Sequence, residues 1–322
     1  MDPEPDDRPR LGISACLLGD QVRFDGGHKR DPFLAEILSP HVCWVRVCPE
    51  VEVGMGTPRE TLRLERRDNG AIRMVTTRTG IDHTDAMSAW ARRRLSGLER
   101  EQLSGYILKT DSPSCGMERV KVFGASGIPQ PDGRGIFAEA LLRRFPNLPV
   151  EEEGRLSDPR LRENFIERVF AYQRLRGFFA GRWTVAGLVA FHTSHKMALL
   201  SHSTAGYREL GRLVASAAGM PRAALRTEYE SRFMQTLTLI ATPRRHTDVL
   251  MHMAGHLKKL LDGRSRQELA STIDEYRRGL VPLVVPMTLL RHHARRYEVT
   301  YLLSQTYLEP NPLAGRFARP GG

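Results

Sequence analysis

The hydrophobic pattern of this chain changes its period once, across residues 146–157, and that change constrains the fold more than any other feature. Ahead of it, short β-branched runs alternate with helical stretches. Behind it, apolar residues recur almost throughout at helical spacing. The boundary itself (Pro146-Asn147-Leu148-Pro149-Val150-Glu151-Glu152-Glu153-Gly154) is punctuated by prolines, a glycine and a Glu triplet. A chain of 322 residues holds about two domains at roughly 150 residues each. The expectation is an acidic, Pro-rich tail over residues 1–10 that is disordered, an α/β domain over 11–155, and an all-α domain over 156–322.

In the first domain, Leu11–Leu18, Val42–Val47 and Tyr106–Lys109 read as buried strands, each closed by a turn or Pro signal. Helices are expected over Pro32–Leu38, Asp82–Leu103 and Gly135–Phe145; the long one carries Met87, Trp90, Ala91, Leu95 and Leu98 on one face. Strands alternating with helices predict a mostly parallel, Rossmann-like sheet. In the second domain, Ser157 or Asp158 caps a helix that starts at Pro159. Further helices are expected over Val185–His202, Ala205–Ala217, Arg222–Ile240, Arg244–Leu261, Arg266–Arg278 and Pro282–Leu308, the last long enough to break.

Charge and cysteine divide at the same boundary. Residues 1–150 carry 22 Lys and Arg against 21 Asp and Glu, whereas residues 181–322 carry 20 against 10. An excess of +10 on one half points to a polyanionic partner, although a basic solvated surface has the same composition. Cys16, Cys43, Cys48 and Cys115 all fall in the first half. No run of about 18 apolar residues is present to span a membrane, and the acidic N-terminus lacks the features of a signal peptide. The chain is therefore expected to be cytoplasmic. Four cysteines in that setting read as a metal or redox site rather than a disulfide framework.

Cys16 closes the first strand, Cys48 follows the second and Cys115 lies in the loop after the third. A parallel sheet gathers the loops at the carboxyl ends of its strands, where ligands bind. Three thiolates and one open position suit catalytic zinc or a [4Fe-4S] cluster with a free iron. Without a CxxC pair, spacing leaves both open. Cys43 sits inside its strand and reads as a small core residue. Glu50, two residues from Cys48, is a candidate acid or base. Asp25-Gly26-Gly27 forms a permissive turn, and Thr110, Ser112 and Ser114 crowd hydroxyls beside Cys115. With no ligand, the same residues serve as turn formers.

Ile13–Gly19, Val22–Lys29, Cys48-Pro49-Glu50 and Lys109–Gly116 together resemble the domain of unknown function 523, associated with thiouracil desulfidases. Phe191–Lys196, Tyr207–Val214 and Thr288–His293 running to Leu308 resemble the domain of unknown function 1722. The combination is similar to bacterial desulfidases that return 4-thiouridine in tRNA to uridine. The resemblance implies a [4Fe-4S] cluster held by Cys16, Cys48 and Cys115 with one open iron, and a catalytic carboxylate that falls on Glu50. It also implies a catalytic hydroxyl that falls on Thr110 or Ser112. Asp25, Gly26 and Ser114 become candidate substrate contacts.

A thiolated base in folded RNA has to be unstacked to reach such a site, and phosphate contacts offset that cost. Candidates for those contacts are Arg208, Arg212, Lys258, Lys259, Arg295 and Arg296, with Arg222, Arg226, Arg244, Arg245 and Arg291 beside them. Two other readings remain: a desulfidase of free thiopyrimidines, and a non-catalytic, cluster-bearing nucleic-acid-binding regulator. His192, His195 and His202 have helical spacing for a second metal site; core histidines fit the same spacing. The oligomeric state is left open.

Overall fold

A computed structural model describes residues 8–125 and 127–313, and the chain divides into two compact units between Phe165 and Ile166. Most of the tail expected over 1–10 therefore lies outside the described residues. Its last residue, Arg10, already begins the first strand.

The first unit contains strands β1 (Arg10–Ser14), β2 (Cys43–Val47), β3 (Leu62–Arg66), β4 (Ile72–Thr76), β5 (Gly105–Leu108), β6 (Val120–Phe123), β7 (Pro129–Gly133) and β8 (Val150–Glu152). Its helices are α1 (Pro49–Glu52), α2 (Thr84–Arg100) and α3 (Ile136–Arg144). One sheet has the order β2-β1-β5-β8, and every pairing in it is parallel. The α/β expectation holds, and the carboxyl ends of these four strands lie along one edge. The α2 residues expected on its apolar face (Met87, Trp90, Ala91, Leu95, Leu98) are its buried residues. Trp90 meets Phe137 of α3 at 5.4 Å, and Phe137 meets Tyr106 of β5 at 5.8 Å. Each such fully buried large side chain contributes on the order of 1.5–3 kcal/mol.

A second, mixed sheet of order β4-β3-β6-β7 was not among the expected elements. The sequence does carry a signal for its first hairpin: Asn69-Gly70 between β3 and β4, with Gly70 at φ +80°. The strand residues themselves are masked by arginines. In Leu62-Arg63-Leu64-Glu65-Arg66 only Leu64 is buried, so apolar alternation is weak.

The second unit is helical, as expected. It comprises most of α4 (Pro159–Ala180), then α5 (Val185–Ser194), α6 (Lys196–His202), α7 (Thr204–Ala215), α8 (Arg222–Thr238), α9 (Pro243–Leu257), α10 (Gly263–Arg277), α11 (Val284–Arg296) and α12 (Thr300–Leu303). Two expected helices are each broken. Val185–His202 divides at His195, whose backbone leaves the helical region at φ −96° and ψ 2°. Pro282–Leu308 breaks after Arg296, where Glu298 takes φ +51°. Two apolar cores result. One joins Leu175, Leu188, Leu210, Tyr229 and Phe233; the other joins Met197, Leu250, Met253, Ile273, Leu290 and Leu302. No helix among the described residues is long and apolar enough to cross a membrane.

Candidate active site

The parallel sheet delivers the three expected cysteines to one cavity of about 370 Å³, lined among others by Cys16, Cys48, Cys115, Glu50, Ser112 and Ser114. Cys16 sits in the single 3-10 turn (Ala15–Leu18) that follows β1. Cys48 is the N-cap of α1, directly after β2. Cys115 ends the loop that leaves β5. That loop is fixed by the start of α3, whose otherwise orphaned amides donate to it: Ile136 to the Pro113 carbonyl, and Phe137 and Ala138 to that of Ser114. Gly135 makes this approach possible, because a Cβ there would lie 2.5 Å from the Ser114 carbonyl.

Cys43 begins β2, does not line the cavity, and uses its backbone amide to bond Pro9. The four cysteines form no disulfide. Among the described residues, no three His, Cys, Asp or Glu side chains converge tightly enough to hold a single metal ion. Zinc–sulfur bonds of about 2.3 Å require just that convergence. A four-iron cube takes its thiolates on separate corners, and the three thiols that line this cavity come from three separate strand ends. Burial pushes the Cys16 thiol up to about 11, with the nearby Cys48 adding to the rise. Burial also raises Cys48 and Cys115. Thiols this hard to ionise are not poised as nucleophiles; they ionise against a positive centre, as metal-bound thiols do. The donor set therefore fits an iron–sulfur cluster.

Glu50, on the first turn of α1, is the hub of the remaining polar groups. Its Oε1 accepts from the Ser114 hydroxyl at 2.7 Å, with the Ser112 hydroxyl at 3.5 Å. Ser112 and Ser114 are 2.9 Å apart, and Ser112 Oγ also accepts the Cys115 amide at 3.1 Å. Arg59 donates to the other carboxylate oxygen, Oε2, through Nε at 2.9 Å and through Nη2. Its Nη1 bonds the carbonyls of Val22 and Gly56, each at 3.0 Å. The Arg59 side chain is only 7% exposed and that of Glu50 15%, so this pair is shielded from solvent.

Thr110 and Ser112 both line the cavity but bond to different carboxylates. The Thr110 amide and hydroxyl both donate to Glu153 Oε2, at 2.8 and 3.0 Å, and Lys109 Nζ pairs with the same carboxylate. Asp111, at φ +59°, reverses the chain between the two hydroxyls. Ser112 and Ser114 face Glu50. Asp25 and Gly26, expected as substrate contacts, do not line the cavity. Asp25 closes its own turn by accepting the Gly27 amide at 3.0 Å, and Gly26 takes φ +78°. Their neighbours Arg23, Phe24 and Lys29 line it instead.

Arg59 was not singled out from sequence. The available signal was the glycine-rich return Gly54-Met55-Gly56-Thr57-Pro58, which brings a cation back to Glu50. Residues 11–153 match the 2-thiouracil desulfurase family, and residues 196–312 match a family described as a protein of unknown function, DUF1722. The chain belongs to the 2-thiouracil desulfurase family.

The chain is 34% identical over 151 residues to the uncharacterized protein YbgA of Escherichia coli (strain K12), covering 47% of this chain and 89% of YbgA. It is 32% identical over 109 residues to the uncharacterized protein YbbK of Bacillus subtilis (strain 168), covering 32% of this chain and 71% of YbbK. Among solved structures it is similar to the [4Fe-4S]-dependent thiouracil desulfidase TudS, at 30% identity and a TM-score of 0.38, covering 47% of this chain and 95% of TudS.

In the helical unit, Arg208, Arg212, Lys258, Lys259, Arg295 and Arg296 are all exposed. Arg295 is paired with Glu309 at 2.6 Å, and Arg291 reaches the same carboxylate at 3.1 Å. Arg222 and Arg245 bond the backbone of Trp183 and His202. Arg226 lies over Phe179 at 5.5 Å. The three spaced histidines are core residues: His192 bonds Tyr229, His195 bonds the Phe191 carbonyl, and His202 pairs with Glu167 at 3.2 Å.

Proposed function

We propose that this chain removes sulfur from a thiolated pyrimidine by hydrolysis, at a [4Fe-4S] cluster held by Cys16, Cys48 and Cys115, and that its substrate is 4-thiouridine in tRNA. One observation carries the reading: three thiols from three parallel strand ends, two buried and one half-buried, share a cavity with a carboxylate that both a guanidinium and a pair of hydroxyls hold in place. When bound, the cluster supplies a soft, Lewis-acidic iron that attracts sulfur and polarises the C=S bond.

The remaining chemistry belongs to this chain's residues. Water replaces sulfur at the pyrimidine carbon, and the sulfur departs as hydrogen sulfide with water's two protons, so no net electron transfer occurs. Glu50 takes the first proton from the attacking water and returns it to the ring nitrogen or the departing sulfur. Arg59 anchors Oε2, which leaves Oε1 as the working oxygen. Ser114 and Ser112 orient that oxygen and offer hydroxyls to the substrate. Val47, Pro49 and Leu62 give the cavity apolar walls.

The tRNA assignment rests on the helical unit's charge excess and on Arg208, Arg212, Lys258 and Lys259, exposed cations that make no ion pair among the described residues and suit a phosphate backbone. A desulfidase of free thiopyrimidines is the second reading, favoured by a cavity of single-base size. The test incubates reconstituted protein with thiolated tRNA, 2-thiouracil and 4-thiouracil and follows loss of the thione absorbance. Turnover of tRNA well above that of either free base supports the first reading; the reverse order supports the second; no turnover of any of them refutes both. Reversing Arg208, Arg212, Lys258 and Lys259 to Glu in the full chain is expected to weaken tRNA binding and flatten its salt dependence. Unchanged binding removes these residues from the interface.

A further inference from the structure

Ser14 is the last residue of β1, is only 3% exposed and lines the cavity. Its place in the sheet sets its partners. Parallel pairing of β1 with β5 stops at Ile13 and Ile107. Just past β5, the Lys109 amide donates to the Ser14 hydroxyl oxygen at 3.0 Å, so a side chain extends the pairing where backbone pairing has ended. That bond occupies a lone pair of the hydroxyl and leaves its hydrogen. A buried hydroxyl hydrogen needs an acceptor. The Ser14 hydroxyl donates it to the sulfur of Cys115, in the loop that β5 feeds.

The other hydroxyl beside that sulfur has a better acceptor. Ser114 Oγ is 3.7 Å from Cys115 Sγ and 2.7 Å from Glu50 Oε1. A serine has a single hydroxyl hydrogen, and an ionised carboxylate is the stronger acceptor. Ser114 therefore serves Glu50, and the Cys115 sulfur depends on Ser14. Cys48 is supported differently: the backbone amides of Val51 and Glu50 donate to its sulfur. One thiol thus relies on main chain that no substitution removes, and another on a side chain that a single substitution removes. Cys115 is buried, so solvent does not replace the lost donor.

We propose that Ser14 is a positioning residue of this site, whose hydroxyl holds the Cys115 sulfur in place as a ligand and tunes the iron–sulfur cluster bound there. The inference rests on the reading of the three thiols as cluster ligands. A hydrogen bond to a ligating sulfur draws electron density from it, which favours the reduced state of a cluster and resists loss of the ligand. The same withdrawal leaves the iron a stronger Lewis acid toward a thiocarbonyl sulfur. Ser14 acts in this way through Cys115, without touching the substrate.

The test compares Ser14→Thr with Ser14→Val, side chains of the same shape that differ in the hydroxyl, beside Ser14→Ala and the wild type. Each full-length chain is reconstituted anaerobically. Iron content, reduction potential and the rate of iron loss to a chelator are then measured. Ser14→Val and Ser14→Ala are expected to move the potential to a more negative value and to lose iron about tenfold faster than the wild type, the scale of one hydrogen bond to a charged group. Ser14→Thr is expected to restore both. Thr and Val variants that shift alike, or a potential and release rate unchanged in Ser14→Ala, overturn the proposal. If Ser14→Val and Ser14→Ala keep native circular dichroism but take up no iron while Ser14→Thr does, the hydroxyl holds the ligand and the proposal stands. Loss of the native fold in both makes the role purely structural and overturns it. Absence of iron from the reconstituted wild type refutes the cluster reading itself, whereas a loaded wild type with indifferent variants refutes only the role of Ser14.

Discussion

The two units of this chain use their buried ionisable groups in opposite ways. In the α/β unit, three thiols, a carboxylate and two hydroxyls are drawn to one sheet edge, and their donors and acceptors face a cavity. In the helical unit, three buried histidines and the half-buried His246 are held by their neighbours. His192 contacts Tyr229, His195 stacks on Phe191, His202 meets Glu167 and His246 bonds the Tyr307 hydroxyl. A group whose polar atoms close on the core stabilises one structure; a group held by the core but open to a cavity is available for chemistry. The contrast explains why residue type alone misleads. The spaced histidines have the spacing of a metal site and are packing residues, whereas the cysteines, far apart in sequence, share one cavity.

The contrast is open to direct tests. The largest effect is expected from Cys16→Ser, Cys48→Ser or Cys115→Ser, each of which should abolish iron binding on anaerobic reconstitution, measured by iron content and visible absorbance. Cys43→Ser should retain it. Iron loss in the Cys43 variant would reassign the ligands.

Next in size is Glu50→Gln, expected to keep the iron and lower turnover by roughly 10²- to 10⁴-fold, the usual scale of a general acid–base. Arg59→Lys preserves charge but loses the two-pronged grip on Oε2, so a smaller fall is expected, in kcat rather than KM. Wild-type turnover by Glu50→Gln would remove that carboxylate from the mechanism. A change in KM alone for Arg59→Lys would make Arg59 a binding residue.

The smallest effect concerns pH and the helical unit. Burial lowers His192 to about 4, His195 to about 3 and His246 to about 4, so these rings stay neutral in the folded chain. Unfolded histidines titrate near 6.5. Between about pH 6.5 and 4 the unfolded state therefore binds more protons, and stability falls as pH falls through that window. His202 opposes this trend. Burial alone would lower it, but Glu167 raises it overall, so its contribution is present below pH 6.5 and is lost as pH rises through its folded value. Three groups against one predict net acid destabilisation. Hydrogen exchange at pH 7 and pH 5, corrected for intrinsic rates, should show α5–α8 losing protection more than β1 and β5. Equal loss in both units would break the contrast.

Much of the fold was legible because its signals are local. The apolar stripe of α2, the start of α4 at Pro159 and the three strands that end near cysteines follow from residue spacing alone. Placement of Cys16, Cys48 and Cys115 in one cavity needed only the further step that strands joined by helices run parallel. The mixed sheet escaped because its strands carry arginines where alternation would show apolar residues. The break in Pro282–Leu308 was expected from its length, but its place at Glu298 and the break at His195 were not, because neither residue is a helix breaker by type.

The sequence by itself determined two units of different class, a neutral one that holds every cysteine and a basic helical one. It also singled out Cys16, Cys48, Cys115 and Glu50 as candidate site residues, since their places beside strand ends follow from short-range periodicity. Only the tertiary structure decided that Thr110 answers to Glu153, that Ser112 and Ser114 answer to Glu50, and that Arg59 returns to hold that carboxylate. Glu50 and Ser114 are 64 positions apart, and Thr110 and Glu153 are 43 apart. No local pattern encodes a pairing at that distance. It follows from which strands lie side by side and from a single reversal of the backbone at Asp111.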